Sequence, residues 1–301
     1  MADLSVPIAA VSYKIIIPAY NEETVVGRLL DALSAPSTTQ AHVVVACNGC
    51  QDRTAEVAAS YDVTVLDLRL ASKAAALNAA DAVVDHALST FYVDADVVVS
   101  RAVLDQLAVL LDEGRFLAVT PEAVPQCVGR PYPVRAFYRI WKRLPYATSE
   151  RLAGVIGLSS EGRARFDRFP DAIADDLYLQ TRFAQSERCI VAGTSFSMEA
   201  PHQTRELLRV LTRVHLGNAQ LARQGTSNPT QGSQPLVALV TGQPESLPDA
   251  LVYVALTVLA KQRARRRLRR GKTSWDRADS TRTRLTGRSD DGCDGDHGVQ
   301  R

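Results

Sequence analysis

The sequence has 301 residues, of which 46% are hydrophobic and 23% charged, as in ordinary soluble globular proteins. Its five scattered cysteines exclude a disulfide framework, and no stretch reaches the ~20 apolar residues needed to span a bilayer. The formal net charge of +2 averages over an uneven chain, because a basic run over 261–270 precedes a polar tail. With no signal-peptide pattern at the N-terminus, we expect a cytoplasmic protein.

The first half of the chain predicts alternating strands and helices. Short apolar runs predict strands at 13–18, 42–47, 63–68 and 90–94. Segments with helical spacing follow them at 22–34, 53–61, 72–88 and 101–114. Strands separated by helices are connected by right-handed crossovers, so we predict an α/β fold with a mostly parallel sheet flanked by helices.

Polar residues follow each predicted strand, at the edge of the sheet where ligands bind in such folds. Six of them would share this edge: Glu22, Asn48, Asp52, Lys73, Asp94 and Asp96. The two aspartates of YVDADVVVS (92–100) are expensive to bury unpaired, so we place them where the fourth strand leaves the core. Two carboxylates one residue apart suit a divalent cation that also takes phosphate oxygens. The alternative is a turn in which the first aspartate caps and the second is solvated.

Four motifs, each after a predicted strand, resemble those of the family 2 glycosyltransferases of GT-A fold. They are IIIPAYNEE (15–23), CNGCQDRT (47–54), SKAAALNAA (72–80) and YVDADVVVS (92–100). A fifth segment, FPDAIADDLYLQTRF (169–183), resembles the part of the family that carries the catalytic carboxylate, and the likeness covers roughly residues 13–200. Two departures are Asp175, where the family usually has Glu, and Ala80, where it often has Gly.

The resemblance implies a nucleotide-sugar donor and Mg²⁺ or Mn²⁺ as cofactor. Asp96, assisted by Asp94, would hold the metal and the leaving diphosphate, and Asp52 would contact the base. The residues that the resemblance assigns to donor binding are Pro18, Ala19, Tyr20, Glu22, Asn48, Asp52, Lys73, Asp94, Ala95 and Asp96.

The resemblance also implies a general base that takes the proton of an acceptor hydroxyl, with inversion at the anomeric carbon. We assign this role to Asp176, with Asp175 as the second catalytic carboxylate. The alternative is that both aspartates cap the start of a helix over 176–186. A catalytically silent relative that binds a sugar nucleotide or serves as a scaffold is the competing function.

Cys47 and Cys50 form a C-x-x-C motif after a strand, which indicates a third alternative, a cytoplasmic redox protein. That alternative predicts a dithiol with a depressed pKa. However, a thioredoxin motif opens a helix directly in a much smaller domain, whereas Asn48, Gly49 and Asp52 suit a nucleotide loop.

The C-terminal part of the chain carries less information. We divide the chain into a catalytic domain (1–200), a helical region (201–260) and a basic flexible tail (261–301). The helix over 205–222 lacks the Q-x-x-R-W sequence of processive synthases, which favours transfer of a single sugar to a hydroxyl of a glycan, lipid or small molecule.

Residues 250–270 combine an apolar segment with the arginine run, and two interpretations stay open. They form either a helix packed on the catalytic domain or an interfacial helix bound to anionic lipid at the inner face of the cell membrane. Nucleic acid is not expected as a partner, because no aromatic residues interleave the arginines.

Overall fold

The computed structural model describes residues 12–145, 151–171, 175–223 and 234–270. One eight-stranded sheet forms the centre, with the strand order β3-β2-β1-β4-β7-β6-β8-β5. The strands are β1 (Ser12–Ala19), β2 (Gln40–Asn48), β3 (Thr64–Leu68), β4 (Ser89–Val93), β5 (Val97–Val98), β6 (Ala118–Gln126), β7 (Val155–Leu158) and β8 (Arg188–Glu199). The helices are α1 (Val26–Leu33), α2 (Thr54–Ala59), α3 (Lys73–Asp81), α4 (Arg101–Asp112), α5 (Tyr132–Trp141), α6 (Ser160–Arg163), α7 (Asp175–Gln180), α8 (Thr204–Arg223), α9 (Gln234–Gly242) and α10 (Leu247–Arg269).

The predicted α/β fold class is confirmed. Strands β1 to β4 pair in parallel through the crossovers that the sequence indicates. Beyond β4 the sheet is mixed, because β7 pairs antiparallel with both β4 and β6, while β6 and β8 run parallel. The second half of the chain thus extends the first sheet rather than forming another one.

Two layers of apolar side chains cover the two faces of the sheet. Along β1, Ile15 and Ile17 pack into one core cluster and Ile16 into the other, as the two-residue period of a strand requires. Helices α1 and α4 supply leucines to the first cluster, whereas α3 supplies alanines and a leucine to the second. Burial on both faces explains why β1 reads as a continuous apolar run.

Three predicted helices have different bounds in the structure. The first begins at Val26 rather than at residue 22, because Glu22 starts a turn whose carbonyl accepts from the N–H groups of Val25 and Val26. The third ends at Asp81 rather than at residue 88, just before two β-branched valines that form helix poorly. Helix α7 ends at Gln180 rather than at residue 186.

A buried ion pair fixes the C-terminal end of α3. The Arg163 guanidinium lies 3.0 Å from the Asp81 carboxylate, which also accepts a hydrogen bond of 2.8 Å from the Tyr92 hydroxyl of β4. Burial and this carboxylate hold the pKa of Tyr92 well above its usual value, so the phenol stays protonated and donates. Helix α3 is therefore held against β4.

The C-terminal helices pack on the second half of the fold. Helix α10 buries Leu256 and Ala260 and stacks Tyr253 on Phe137 of α5, with ring centroids 5.0 Å apart. It continues to Arg269, past the point where the sequence indicated a flexible tail, because arginine is a good helix former. The rest of that tail, residues 271–301, lies outside the described residues. None of the described helices is long and apolar enough to cross a membrane.

We predict that Gly157→Ala destabilises the fold. Gly157 of β7 pairs with Phe91 of β4, and a Cβ at this position would overlap Cε1 of the Phe91 ring. Displacing that fully buried ring should cost about 1–3 kcal/mol, measured as a lower melting temperature. The control is Gly242→Ala, where a Cβ meets nothing within 4 Å. Equal melting temperatures for the two variants would contradict the prediction.

Candidate active site

The loops after β1 and β2 are held together by hydrogen bonds. The Asn21 side chain accepts from the Gln51 N–H at 2.8 Å, and the Glu22 N–H donates to the Thr54 hydroxyl oxygen at 2.7 Å. Asn21 has a φ of 53°, in the left-handed region that asparagine tolerates better than most residues. The loop after β1, which carries residues that the resemblance assigns to donor binding, is therefore held in place by the loop after β2.

Asp52 organises these two loops. One of its carboxylate oxygens accepts from the Thr54 N–H at 3.1 Å, and the other accepts from the Glu23 N–H at 3.2 Å. A carboxylate has about four acceptor sites, so these bonds leave capacity for a ligand. The loop-bracing role was not expected from the sequence.

The other residues assigned to the donor loops differ in exposure. Glu22 and Asn48 are buried beneath the loops, Tyr20 is half-buried, and Pro18 and Ala19 are buried in β1. Most of the assigned side chains are therefore buried and do not reach the open face above β1 and β2, which is formed by the loops.

Lys73 lies at the centre of a cluster of carboxylates. It is the first residue of α3, whose start is capped by the Ser72 hydroxyl accepting from the Ala75 N–H. Its Nζ lies 2.7 Å from Oδ1 of Asp94 and 2.8 Å from Oδ2 of Asp175. This one ammonium group joins three segments that are distant in sequence.

The carboxylates of this cluster stabilise the charged form of Lys73. Burial would lower the pKa of Lys73, but the carboxylates of Asp175, Asp94 and Asp176 outweigh it and raise the pKa well above its usual value. The lysine therefore stays a cation.

The environment of Asp176 disfavours the ionised form of its carboxyl group, unlike the environment of an ordinary surface carboxylate. Burial in the cleft, together with the neighbouring charges of Asp175 and Asp94, raises its pKa to about 7. Lys73 and Arg151 oppose this shift, with Nη2 of Arg151 3.8 Å from Oδ2 of Asp176. The side chain keeps 26% of its surface exposed, so a second molecule can reach it.

Asp175 and Asp176 also occupy the first turn of α7, as the capping alternative expects. A helix N-terminus favours ionised carboxylates. Burial and the neighbouring charges of Asp175 and Asp94 act in the other direction and raise the pKa of Asp176. Residues 172–174, which precede the helix, lie outside the described residues.

Asp94 and Asp96 lie just beyond β4, in a tight turn before β5. The Asp94 N–H donates to the Gly154 carbonyl at 2.8 Å, and the Val97 N–H donates to the Asp94 carbonyl at 3.3 Å. Ala95 is buried between them, whereas Asp96 is exposed. The turn presents the two carboxylates differently, one to Lys73 and one to the open edge.

The described residues contain no cluster of three or more His, Cys, Asp or Glu side chains arranged as a metal centre. Carboxylate oxygens are nevertheless the ligands that Mg²⁺ and Mn²⁺ prefer, and such ions often take their other ligands from phosphate and water. The donor set of Asp96 and Asp94 therefore fits a cation that arrives with a diphosphate.

Cys47 and Cys50 are free thiols in the braced loops. A hydrogen bond from Cys47 lowers the pKa of Cys50 to about 6, as the redox alternative requires. However, Cys47 is fully buried, and Cys50 bonds within the first loop, accepting from the Asn21 N–H and donating to the Ala19 carbonyl. The thiol pair thus belongs to the packing of the two loops.

Sequence reasoning missed Arg151 and the pairing of Lys73 with Asp175. Arg151 precedes β7 in a segment without a motif, so no sequence signal marks it. The pairing joins α3 to α7, and only the tertiary fold brings these helices together.

Comparisons with known proteins identify the family and the fold of this chain. The family model described as "Glycosyl transferase family 2" matches residues 14–165. The mannosyltransferase PcManGT from Pyrobaculum calidifontis, solved with GDP-Man and Mn²⁺, superposes with a TM-score of 0.54 and 20% identity, covering 87% of this chain and 83% of that chain. Glucosyl-3-phosphoglycerate synthase from Mycobacterium tuberculosis, solved with Mn²⁺ and UDP, has a TM-score of 0.52 and 17% identity, covering 74% and 84%.

A third structure, S. aureus TarS, has a TM-score of 0.47 and 17% identity over 68% of this chain, which spans 39% of that protein. No curated protein sequence matches the chain. The family match covers half of the chain and contains β1 to β4 with the Asp94–Asp96 turn. The chain belongs to glycosyl transferase family 2, and it is a glycosyltransferase of GT-A fold.

Proposed function

We propose that this enzyme transfers a single sugar from a nucleotide-sugar donor to a hydroxyl acceptor, with inversion and with Mg²⁺ or Mn²⁺. The observation that carries the proposal is the convergence of three carboxylates on Lys73 at the edge of the sheet, with the pKa of Asp176 raised to about 7. Such clusters of perturbed groups are typical of catalytic sites.

The donor is assigned to the face formed by the loops after β1 and β2. Their hydrogen bonds fix the loops before a ligand arrives, which lowers the entropic cost of ordering them on binding. PcManGT and the mycobacterial synthase were solved with GDP-Man or UDP, each with Mn²⁺. We carry this donor chemistry to the present chain as part of the proposal.

Asp96, with Asp94, would hold the divalent cation. When bound, the cation neutralises charge that develops on the leaving diphosphate. Asp96 lies at the exposed end of the turn, where a cation bound to the diphosphate can reach it, so we assign it as the main metal ligand of this chain. Lys73 then positions Asp94 and adds a positive charge beside the diphosphate.

Asp176 is assigned as the general base. A pKa near 7 lets a carboxylate be ionised at neutral pH and still attract a proton, which suits a base better than an ordinary aspartate does. Its exposed fraction leaves room for an acceptor hydroxyl. Attack by that hydroxyl opposite the leaving group inverts the anomeric carbon.

Association with an anionic membrane surface is a separate part of the proposal. Helix α10 packs on α5 and α8, which agrees with the first interpretation of residues 250–270. Its opposite face exposes Leu251, Val254 and Val258, followed along the same face by Arg265. Apolar and basic groups in this order suit the interface of an anionic bilayer.

We predict that Asp176→Asn lowers the transfer rate by about 100- to 10,000-fold, because the base is lost while the donor site is intact. The measurement is release of nucleoside diphosphate from the donor, with donor affinity determined in parallel. Asp171→Asn, which neutralises an exposed carboxylate nearby, is the control and should keep full activity. An Asp176→Asn variant as active as the wild type would contradict the assignment. A wild type that binds donor and never turns over would favour the silent relative.

The raised pKa of Asp176 also predicts a dependence of stability on pH in the absence of donor and metal. The folded carboxyl binds its proton more tightly than the unfolded one, so its ionisation destabilises the fold as pH rises from about 4 through about 7. Asp176→Asn should therefore be more stable than the wild type by about 2–4 kcal/mol above pH 7, and equally stable near pH 4. Denaturant unfolding at both pH values measures this, and a difference independent of pH would contradict it.

We predict that Asp96→Asn weakens metal binding in the presence of a nucleoside diphosphate. Losing one charged ligand should reduce Mn²⁺ affinity by about tenfold or more, measured by the loss of the free Mn²⁺ electron paramagnetic resonance signal on titration with protein and UDP or GDP. Asp67→Asn on β3 is a control outside the cluster. Unchanged Mn²⁺ affinity in Asp96→Asn would exclude this residue as a ligand.

A further inference from the structure

A cavity lined by five arginines lies between α8 and α10, on helices that carry none of the residues assigned to donor, metal or base. Its volume is about 280 Å³. Its lining residues are Arg209, Thr212, Arg263, Arg266, Arg267 and Arg270. Neither the family match, which ends at residue 165, nor the assigned catalytic groups account for it.

The spacing of the arginines concentrates charge on one side of α10. Arg266 and Arg267 lie three and four residues after Arg263 and four and three residues before Arg270, so the four arginines share one face of the helix. Arg209 comes from α8 and faces the same cavity. Two helices therefore direct positive charge into one small space.

Arg209, Arg263, Arg266 and Arg270 are exposed, so an anion from solution can reach this cavity. Within the ranges that the structure describes, no carboxylate lies within ion-pair distance of Arg209, Arg263, Arg266 or Arg270. Like charges at these helical spacings repel one another. The negative end of the α10 dipole offsets part of that repulsion in the last turn.

The helix dipole does not explain the cavity itself. It would favour arginines equally on any side of the last turns, including the exposed Arg265 and Arg269. It also has no bearing on Arg209, which lies in the second turn of another helix. The convergence of the two helices therefore points to a bound anion.

We propose that this cavity binds a phosphate group. Guanidinium groups form bidentate hydrogen bonds with phosphate oxygens, and several converging arginines suit a phosphomonoester better than a carboxylate. The volume lies near the lower end of small-ligand pockets and accommodates a single phosphorylated group. The phosphate is either free in solution or part of a lipid headgroup, and the two arms of the test distinguish these sources.

The test compares two double variants of the full chain with the same loss of charge. Arg266→Ala/Arg270→Ala removes two arginines from the cavity, and Arg115→Ala/Arg205→Ala removes two arginines that lie outside both the cavity and α10. One arm measures binding of inorganic phosphate by calorimetry at constant ionic strength, with EDTA present. The other measures cosedimentation with vesicles of phosphatidylcholine alone or mixed with phosphatidic acid.

We expect the cavity variant to lose about tenfold or more in affinity while the control variant outside α10 stays close to the wild type. Selective loss in the phosphate arm identifies a soluble phosphate as the source, and selective loss only with phosphatidic acid identifies the lipid headgroup. Equal losses in both variants would overturn the proposal in favour of unspecific attraction to basic charge. No binding by the wild type in either arm would overturn it as well.

A single substitution on α8 keeps the test informative if the double variant does not fold. Arg209→Gln removes the cavity arginine, and Arg205→Gln removes an exposed arginine of the same helix. Only Arg209→Gln should weaken phosphate or vesicle binding. Transfer activity is not the readout, so the result is independent of the proposed function.

Discussion

The ion pairs of Lys73 with Asp94 and Asp175 are the interaction on which the rest of the site depends. Three carboxylates cannot lie in one cleft without mutual repulsion, and this ammonium group offsets it. It also couples two functions, because Asp94 belongs to the turn assigned to metal and diphosphate, whereas Asp175 adjoins the assigned base. A change at Lys73 would therefore affect both ends of the reaction.

The fold supplies the rigidity that such a charged cluster needs. Strand β4 lies inside the sheet between β1 and β7, and its Tyr92 is tied to Asp81 at the far end of α3. Lys73 at the start of α3 and Asp94 after β4 are thus carried by two elements that are fixed to each other. The stability lost by crowding carboxylates at the sheet edge is offset by the core beneath it, as in many active sites.

The sequence predicted the first four strands and their crossovers well, because runs such as the isoleucines of β1 are buried on both faces. It also predicted that polar residues lie together at one edge of the sheet, because the carboxyl ends of parallel strands meet at that edge. It missed the pairing of Lys73 with Asp175, which depends on how α3 and α7 pack. The end of α3 was also misplaced, because the valines after Asp81 look apolar and periodic but form helix poorly.

The cavity between α8 and α10 shows the same limit of sequence reasoning. An arginine run is visible in the sequence, but whether it is solvated or converges on one site depends on a second helix. The structure places Arg209 opposite that run, and no local pattern in either segment indicates that the two segments line one cavity.

A thermal-shift screen of UDP-, GDP- and dTDP-sugars with Mn²⁺ or with EDTA tests the central claim most directly. A ligand that binds only the folded protein raises its melting temperature in proportion to its occupancy. We predict that one class of donor raises the melting temperature with Mn²⁺ and has little effect with EDTA. A wild type that none of these donors stabilises in the presence of Mn²⁺ would contradict it.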